Sequence, residues 1–256
     1  MIIVDSGLGG ISVVRALKGT QPGLTLTYVA DTASFPYGNR SPHLINARAQ
    51  ALVTQIQAAE KASPIVLACN TLSTLSLDQL RIAFPQISFV GTVPAIKTAA
   101  QLSRTRRFTL LATTNTATGR YTQDLIGEFA SDCVVDCYGA PNLAAMIEAI
   151  LLGETIPDED LRAEILPAFC NDGHGRTDCI VLGCTHYPLL LERLHALAPW
   201  PVHFVDSSDA IARRALSLPS APPVRSVAYV TAFRDVARYR DIFLKEGFDD
   251  VQLLTV

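Results

Sequence analysis

No stretch of the 256 residues is apolar for long enough to cross a bilayer. The longest apolar stretches, such as Ile147 to Leu152, are broken by charge or fall far short of the roughly 20 residues a spanning helix needs, so no membrane partner is expected. Charge blocks are also missing. The net charge is −3, and the only basic cluster is Arg104, Arg106 and Arg107, which argues against a nucleic-acid surface. Met1 to Asp5 lacks the basic-then-apolar pattern of a secretory signal, so a cytoplasmic location is expected, with the 6 cysteines as thiols. The lysines are Lys18, Lys61, Lys97 and Lys245, none in a loop that reads as a ligand site, which disfavours a pyridoxal-phosphate Schiff base. There is no P-loop, and the spacings of Cys133, Cys137, Cys170 and Cys179 match no zinc pattern. No metal and no cofactor are expected, and these four cysteines are assigned to packing.

What remains is a chain rich enough in apolar residues, at 49%, to bury a sizeable core. Short β-branched runs alternate with helix-like stretches, the pattern of parallel sheets with crossover helices. The strand candidates are Ile2–Val4, Leu26–Ala30, Ile65–Ala68, Phe89–Val90, Thr109–Ala112, Val134–Asp136, Ile180–Leu182 and Val202–Val205. Helices are expected over Leu44–Ala62 and Ala140–Leu152 and from Ile11, and the Pro-rich Leu218–Val224 reads as a surface linker.

An internal repeat sharpens this. Ile65-Val66-Leu67-Ala68-Cys69-Asn70-Thr71 matches Ile180-Val181-Leu182-Gly183-Cys184-Thr185-His186 at an offset of 115 (184 − 69). The same offset carries Phe89-Val90 onto Phe204-Val205 and Ala95-Ile96 onto Ala210-Ile211. A looser pair sets Ile2 to Gly7 against Leu110 to Asn115. The expected fold is α/β: two pseudo-twofold-related domains with mostly parallel sheets, residues 1–92 plus 206–256 and residues 93–205. Ligands of open α/β sheets bind beyond the carboxyl ends of strands, so the active site is expected in the interdomain cleft.

Each half would bring one thiol to that cleft. Cys69 and Cys184 both follow an apolar strand and precede polar residues that suit a strand-to-helix turn, where backbone N–H groups favour thiolate. Two matched thiols fit a reaction with two matched half-reactions: one removes a proton from one face of a carbon and the other delivers a proton to the opposite face. His186, two residues past Cys184, could polarise that thiol or a substrate. Asp5 to Gly10 forms a glycine-rich turn able to hold an anion, with Asp5 or Ser6 as helix N-cap being the plainer reading. Thr113, Thr114, Thr116 and Thr118 form a hydroxyl-rich loop able to bind a carboxylate.

With Asp5-Ser6-Gly7-Leu8-Gly9-Gly10, Asp31-Thr32, Pro36-Tyr37-Gly38, Ala68-Cys69-Asn70-Thr71, Thr113 and Thr116 before Tyr121, Gly183-Cys184-Thr185-His186-Tyr187-Pro188 and Asp206-Ser207, the chain resembles the cofactor-independent aspartate/glutamate racemases over nearly its whole length. The resemblance implies an isomerase that interconverts L- and D-glutamate without a cofactor, supplying D-glutamate for peptidoglycan, and a homodimer. It implies that Cys69 deprotonates D-glutamate and Cys184 L-glutamate, with Asp5 assisting Cys69 and His186 assisting Cys184. Glu148, in Ala140 to Glu148, falls on a further acidic position and is assigned as catalytic. Asp5, Ser6, Tyr37, Gly38, Asn70, Thr71, Thr113, Thr116, Thr185 and His186 fall on substrate-binding motifs. Another substrate, such as aspartate, or a catalytically silent ligand-binding homologue remain the alternatives.

Overall fold

A computed structural model describes residues 1–59, 64–173, 175–220 and 222–256. The last part of the expected Leu44–Ala62 helix, and Lys61, lie outside the described residues. Contacts divide the chain into two compact units, Met1–Thr92 with Ser208–Val256, and Val93–Ser207.

The first unit begins β1 (Ile2–Asp5), α1 (Ile11–Thr20), β2 (Thr27–Ala30), α2 (Pro42–Ala59), β3 (Ile65–Leu67), α3 (Asn70–Ala83) and β4 (Phe89–Gly91). The second runs α4 (Ile96–Leu102), β5 (Arg107–Ala112), α5 (Thr114–Thr118), α6 (Arg120–Phe129), β6 (Val134–Gly139), α7 (Leu143–Leu151), α8 (Asp158–Ile165), β7 (Asn171–Asp172), β8 (Gly175–Arg176), β9 (Cys179–Gly183), α9 (Leu191–Leu197) and β10 (His203–Val205). The chain then returns to the first unit through α10 (Ser208–Leu216), β11 (Val227–Val230), α11 (Val236–Lys245) and β12 (Asp250–Leu253).

The first unit's sheet has the order β12-β11-β2-β1-β3-β4 and the second's β10-β9-β5-β6, parallel throughout; β7 and β8 form a small antiparallel pair. Helices cover both faces of such sheets, so the central strands read as unbroken apolar runs: Ile65-Val66-Leu67 and Ile180-Val181-Leu182 are all buried. Each such Ile or Leu contributes about 1.5–3 kcal/mol of burial.

The repeat is visible in the pairing. Ile65 pairs with Phe89 across β3–β4, and Ile180 with Phe204 across β9–β10, at the same offset of 115. The N-terminal pair needs correcting by one residue. Val4 pairs with Leu67 and Leu111 with Leu182, so Val4 corresponds to Leu111, an offset of 107 (111 − 4). A one-residue slip turns each side chain to the other face of a strand, so Asp5 corresponds to Ala112 and not to Thr113.

β11 and β12 were not among the expected strands. Each is only four residues long, and β12, Asp250-Val251-Gln252-Leu253, alternates polar with apolar as an edge strand does. The Pro-rich stretch joins α10 to β11 within the first unit rather than linking the two units. No described helix is long and apolar enough to cross a membrane.

Candidate active site

In the first unit the candidate residues gather at the carboxyl ends of β1, β2 and β3. Asp5 ends β1, fully buried, and its Oδ1 accepts the Gly7 N–H at 2.8 Å. The helix that follows is capped by Gly10, not by Asp5 or Ser6, which leaves the Asp5–Gly7 turn as a separate feature. Gly10 is there for closeness: a Cβ would sit 2.7 Å from the Tyr28 hydroxyl and 3.1 Å from the Asp5 and Ala68 Cβ atoms. Tyr28 uses that hydroxyl to donate to the Gly7 carbonyl at 2.8 Å, fixing the turn.

Cys69 is the N-cap residue of α3, a 14-residue helix, so its thiol stands at the positive end of a full macrodipole. Asn70 and Thr71 follow in the first turn, both buried, and Asn70 Oδ1 has no hydrogen-bond partner among the described residues. Ser73 ties the turn to its sheet: its hydroxyl donates to the Leu67 carbonyl at 2.9 Å and accepts the Thr92 N–H at 2.9 Å.

Beyond β2, Asp31 is completely buried and ionically held. Arg48 donates to both its carboxylate oxygens, at 2.9 and 2.7 Å, Tyr37 at 2.6 Å and Thr231 at 2.7 Å. Burial alone would push this carboxyl up, but those bonds and the guanidinium charge hold it below the usual range. Tyr37 is pushed well above the ordinary phenol value by burial, by Asp31 and by Cys69, so it stays a hydrogen-bond donor. Gly38 is buried in the same turn. Arg48 and Thr231 were missed from sequence: they lie 17 and 200 residues from Asp31, beyond any local pattern.

In the second unit Cys184 follows β9, and here the expectation of a helix N-terminus fails in part. The next element is a 3₁₀ turn, Tyr187–Leu190, and α9 starts only at Leu191. One turn of 3₁₀ helix has little macrodipole. A side-chain chain stands in its place. His186 Nδ1 lies 3.8 Å from Cys184 Sγ, and His186 Nε2 lies 2.8 Å from Glu148 Oε2 on α7, all three residues being buried. Burial opposes a charged imidazole, yet the hydrogen bonds and charges of Cys184 and Glu148 outweigh it, and His186 is raised well above its ordinary value. The arrangement is a thiol, a base and an orienting carboxylate in line.

Thr185 is buried beside Cys184. The threonines after β5 form not a loop but the short helix α5, with Thr113 at its N-cap. The Thr113 hydroxyl donates to Thr116 Oγ1 at 3.2 Å, and Thr122 Oγ1 holds the Thr116 carbonyl at 2.6 Å. Thr118 is exposed, and its hydroxyl donates to the Thr114 carbonyl within the helix at 2.9 Å. Gly183, just before Cys184, has no room for a side chain: a Cβ would come within 2.7 Å of Leu110 and 2.8 Å of Ala112.

Of the four cysteines assigned to packing, only Cys179 is in the core, where burial pushes its thiol up to about 12; Cys137 is exposed, and Cys133 and Cys170 are half-buried.

The sequence profile of the Asp/Glu/hydantoin racemases matches residues 11–215. The chain belongs to this racemase family. As a racemase it is an isomerase, and its relatives share most of its length. The glutamate racemase of Sinorhizobium medicae is 45% identical over 222 residues, covering 87% of this chain and 82% of that one, and that of Brucella ovis is 44% identical over 218 residues, covering 85% and 79%. Among solved structures, Escherichia coli glutamate racemase with L-glutamate and the activator UDP-MurNAc-Ala superposes with a TM-score of 0.90 at 35% identity, covering 100% of this chain and 98% of that one. A racemase isoform from Bacillus anthracis, 22% identical, shares the two-sheet fold at a TM-score of 0.81.

Proposed function

We propose that this racemase interconverts L- and D-glutamate by a two-thiol mechanism, one thiol removing the Cα proton and the other delivering a proton to the opposite face. The observation that carries the reading is that Cys69 and Cys184 occupy the same register position in two sheets of like topology. The glutamate racemase names of the relatives, and the L-glutamate in the E. coli structure, support the substrate.

In this mechanism the Cys184 thiolate takes the Cα proton of L-glutamate, and its own proton has passed to His186, which Glu148 orients. The electron pair stays on the substrate as an enolate-like carbanion, and the Cys69 thiol delivers a proton to the opposite face, giving D-glutamate. The reverse reaction starts at Cys69, with Asp5 as its partner.

The carbanion needs donors aimed at the carboxylate in a water-poor site. Ser6, Asn70, Thr71, Thr113, Thr116, Thr185 and the Tyr37–Gly38 turn supply them, and the unpaired Asn70 Oδ1 accepts from the substrate ammonium. The enzyme acts as a cytoplasmic homodimer and supplies D-glutamate for peptidoglycan.

The test is incubation with L-glutamate in D2O without any added cofactor. Optical rotation is expected to decay while deuterium enters Cα. No exchange with glutamate, but exchange with aspartate, would move the substrate assignment; no exchange with either would refute the reading.

A further inference from the structure

Glu148 holds His186 in place, and something must hold Glu148. It sits on α7, whose N-cap residue Asn142 makes no cap of its own. Left alone, the first backbone N–H groups of such a helix have no partner. The cap comes instead from α8: Glu164 Oε2 accepts the N–H groups of Asn142 and Leu143, both at 3.1 Å, and Oε1 accepts the Asn142 side-chain amide at 2.9 Å.

We propose that Glu164 is a positioning residue, whose carboxylate on the N-terminus of α7 sets the placement of Glu148 and through it the His186 imidazole beside Cys184. The proposal rests on the two-thiol reading. Three observations support it. The carboxylate accepts the first two backbone N–H groups at the helix start and the Asn142 amide, and its charge suits the positive end of the dipole. Leu161 and Ile165, flanking Glu164 on α8, share one core with Leu143 and Ile147 of α7 and with Tyr187, the residue after His186. And Glu148 is five residues past Leu143, about 7.5 Å along the axis, close enough for a tilt at the start of the helix to be felt there.

The test uses Glu164→Ala and Glu164→Gln with glutamate labelled by deuterium at Cα. Because the enantiomers are equal in energy, kcat/KM must fall equally in both directions, on the order of ten- to a hundredfold for a displaced base. The isotope effects on kcat/KM must part. Starting from labelled L-glutamate the C–D bond breaks in the slowed Cys184 step, so the effect rises. From labelled D-glutamate the label is lost at Cys69 and the slowed step delivers a solvent proton, so the effect falls toward 1. Glu164→Gln, which keeps an acceptor oxygen, is expected to show a smaller change.

These ratios do not depend on how much protein is folded. Asp178→Ala removes a cap elsewhere in the unit, at Ser103, Arg104 and Thr105, and is expected to leave both isotope effects as in the parent. Isotope effects unchanged in Glu164→Ala, or moved equally by Asp178→Ala, would overturn the proposal.

Should the parent protein fail to exchange glutamate at all, the ligand-free imidazole spectrum still decides the positioning. The downfield His186 Nε2–H signal expected from the 2.8 Å bond to Glu148 is to be lost or shifted in Glu164→Ala, and an unchanged signal would overturn the role of Glu164.

Discussion

Replacing Arg48 with Met keeps the length of the side chain and removes the charge that balances Asp31. The Asp31 carboxylate is fully buried and the Arg48 side chain is 18% exposed, so little water can take the guanidinium's place. Removing one partner of a buried pair costs about 3–5 kcal/mol. Tyr37 and Thr231 still donate to Asp31, which points to the lower end, about 3 kcal/mol, or a fall of about 6–12 °C in Tm for a chain of this size. The bond from Arg48 to the Val256 carbonyl at 2.9 Å is lost as well.

The pH dependence identifies the cause. In the parent, Asp31 is held below its unfolded value of about 3.9, so its contribution is fully present above that pH and is lost only as pH falls through the lower folded value. Between pH 7 and about 5 it is therefore constant, and by pH 4 only a small part has been lost. In Arg48→Met, burial without the guanidinium drives the carboxyl upward, and protonation relieves the penalty as pH falls through that raised value. Urea denaturation at pH 7, 5.5 and 4 is expected to show the stability gap narrowing on acidification. Asp31→Asn combined with Arg48→Met is expected to recover part of the loss at pH 7. A gap constant with pH, together with a double variant no better than the single one, would refute the buried-charge account.

Cys69→Ser and Cys184→Ser are each expected to lower racemisation by about 10²–10⁴, the usual worth of a positioned proton carrier; near-full activity in either would remove the two-thiol mechanism. Glu148→Gln takes away a charge that raises His186, so the imidazole titration followed by NMR is expected to move to lower pH, and the reverse direction would contradict the hydrogen-bond assignment. In stability terms a raised His contributes fully below about pH 6.5 and loses its contribution as pH rises through the folded value, so the Glu148→Gln deficit should be largest on the acid side of that transition. Gly183→Ala is expected to destabilise by at least the 1–3 kcal/mol typical of overpacking, because Leu110 and Ala112 leave no space for a Cβ; a fully stable variant would show that β5 can shift.

The strands that carry the thiols were legible in the sequence because both faces of a parallel sheet are covered, which leaves runs such as Ile65-Val66-Leu67 with no polar interruption. The repeat was legible for the same reason: equal burial at equal register selects equal residues. What escaped detection depends on contacts between distant segments. Glu164 reads as one more acid near the end of an acidic helix until α7 is packed against it, and Arg48 reads as a surface residue of α2 until Asp31 is placed beside it. The one-residue error in matching β1 to β5 has a similar origin. Small polar residues follow both strands, so composition alone cannot choose the register, whereas the pairing partners Leu67 and Leu182 can.

The corrected register also shows that the two halves share a frame and not a chemistry. Cys69 and Cys184 are equivalent, but Asp5 corresponds to Ala112, and since Val4 and Leu111 pair with Val29 and Tyr138, Asp31 corresponds to Ala140. Both buried acids of the first unit's strand ends therefore have alanine counterparts. Conversely His186 corresponds to Thr71, and its carboxylate comes from α7. The thiol at the N-terminus of a 14-residue helix has no histidine at the matching position, whereas the thiol followed only by a 3₁₀ turn has the His186–Glu148 pair. Enantiomeric substrates are equal in energy, so a racemase must balance the whole path and not each proton carrier. On the proposed two-thiol reading, two thiols with different neighbours satisfy that condition, and a shared strand frame does not require shared partners.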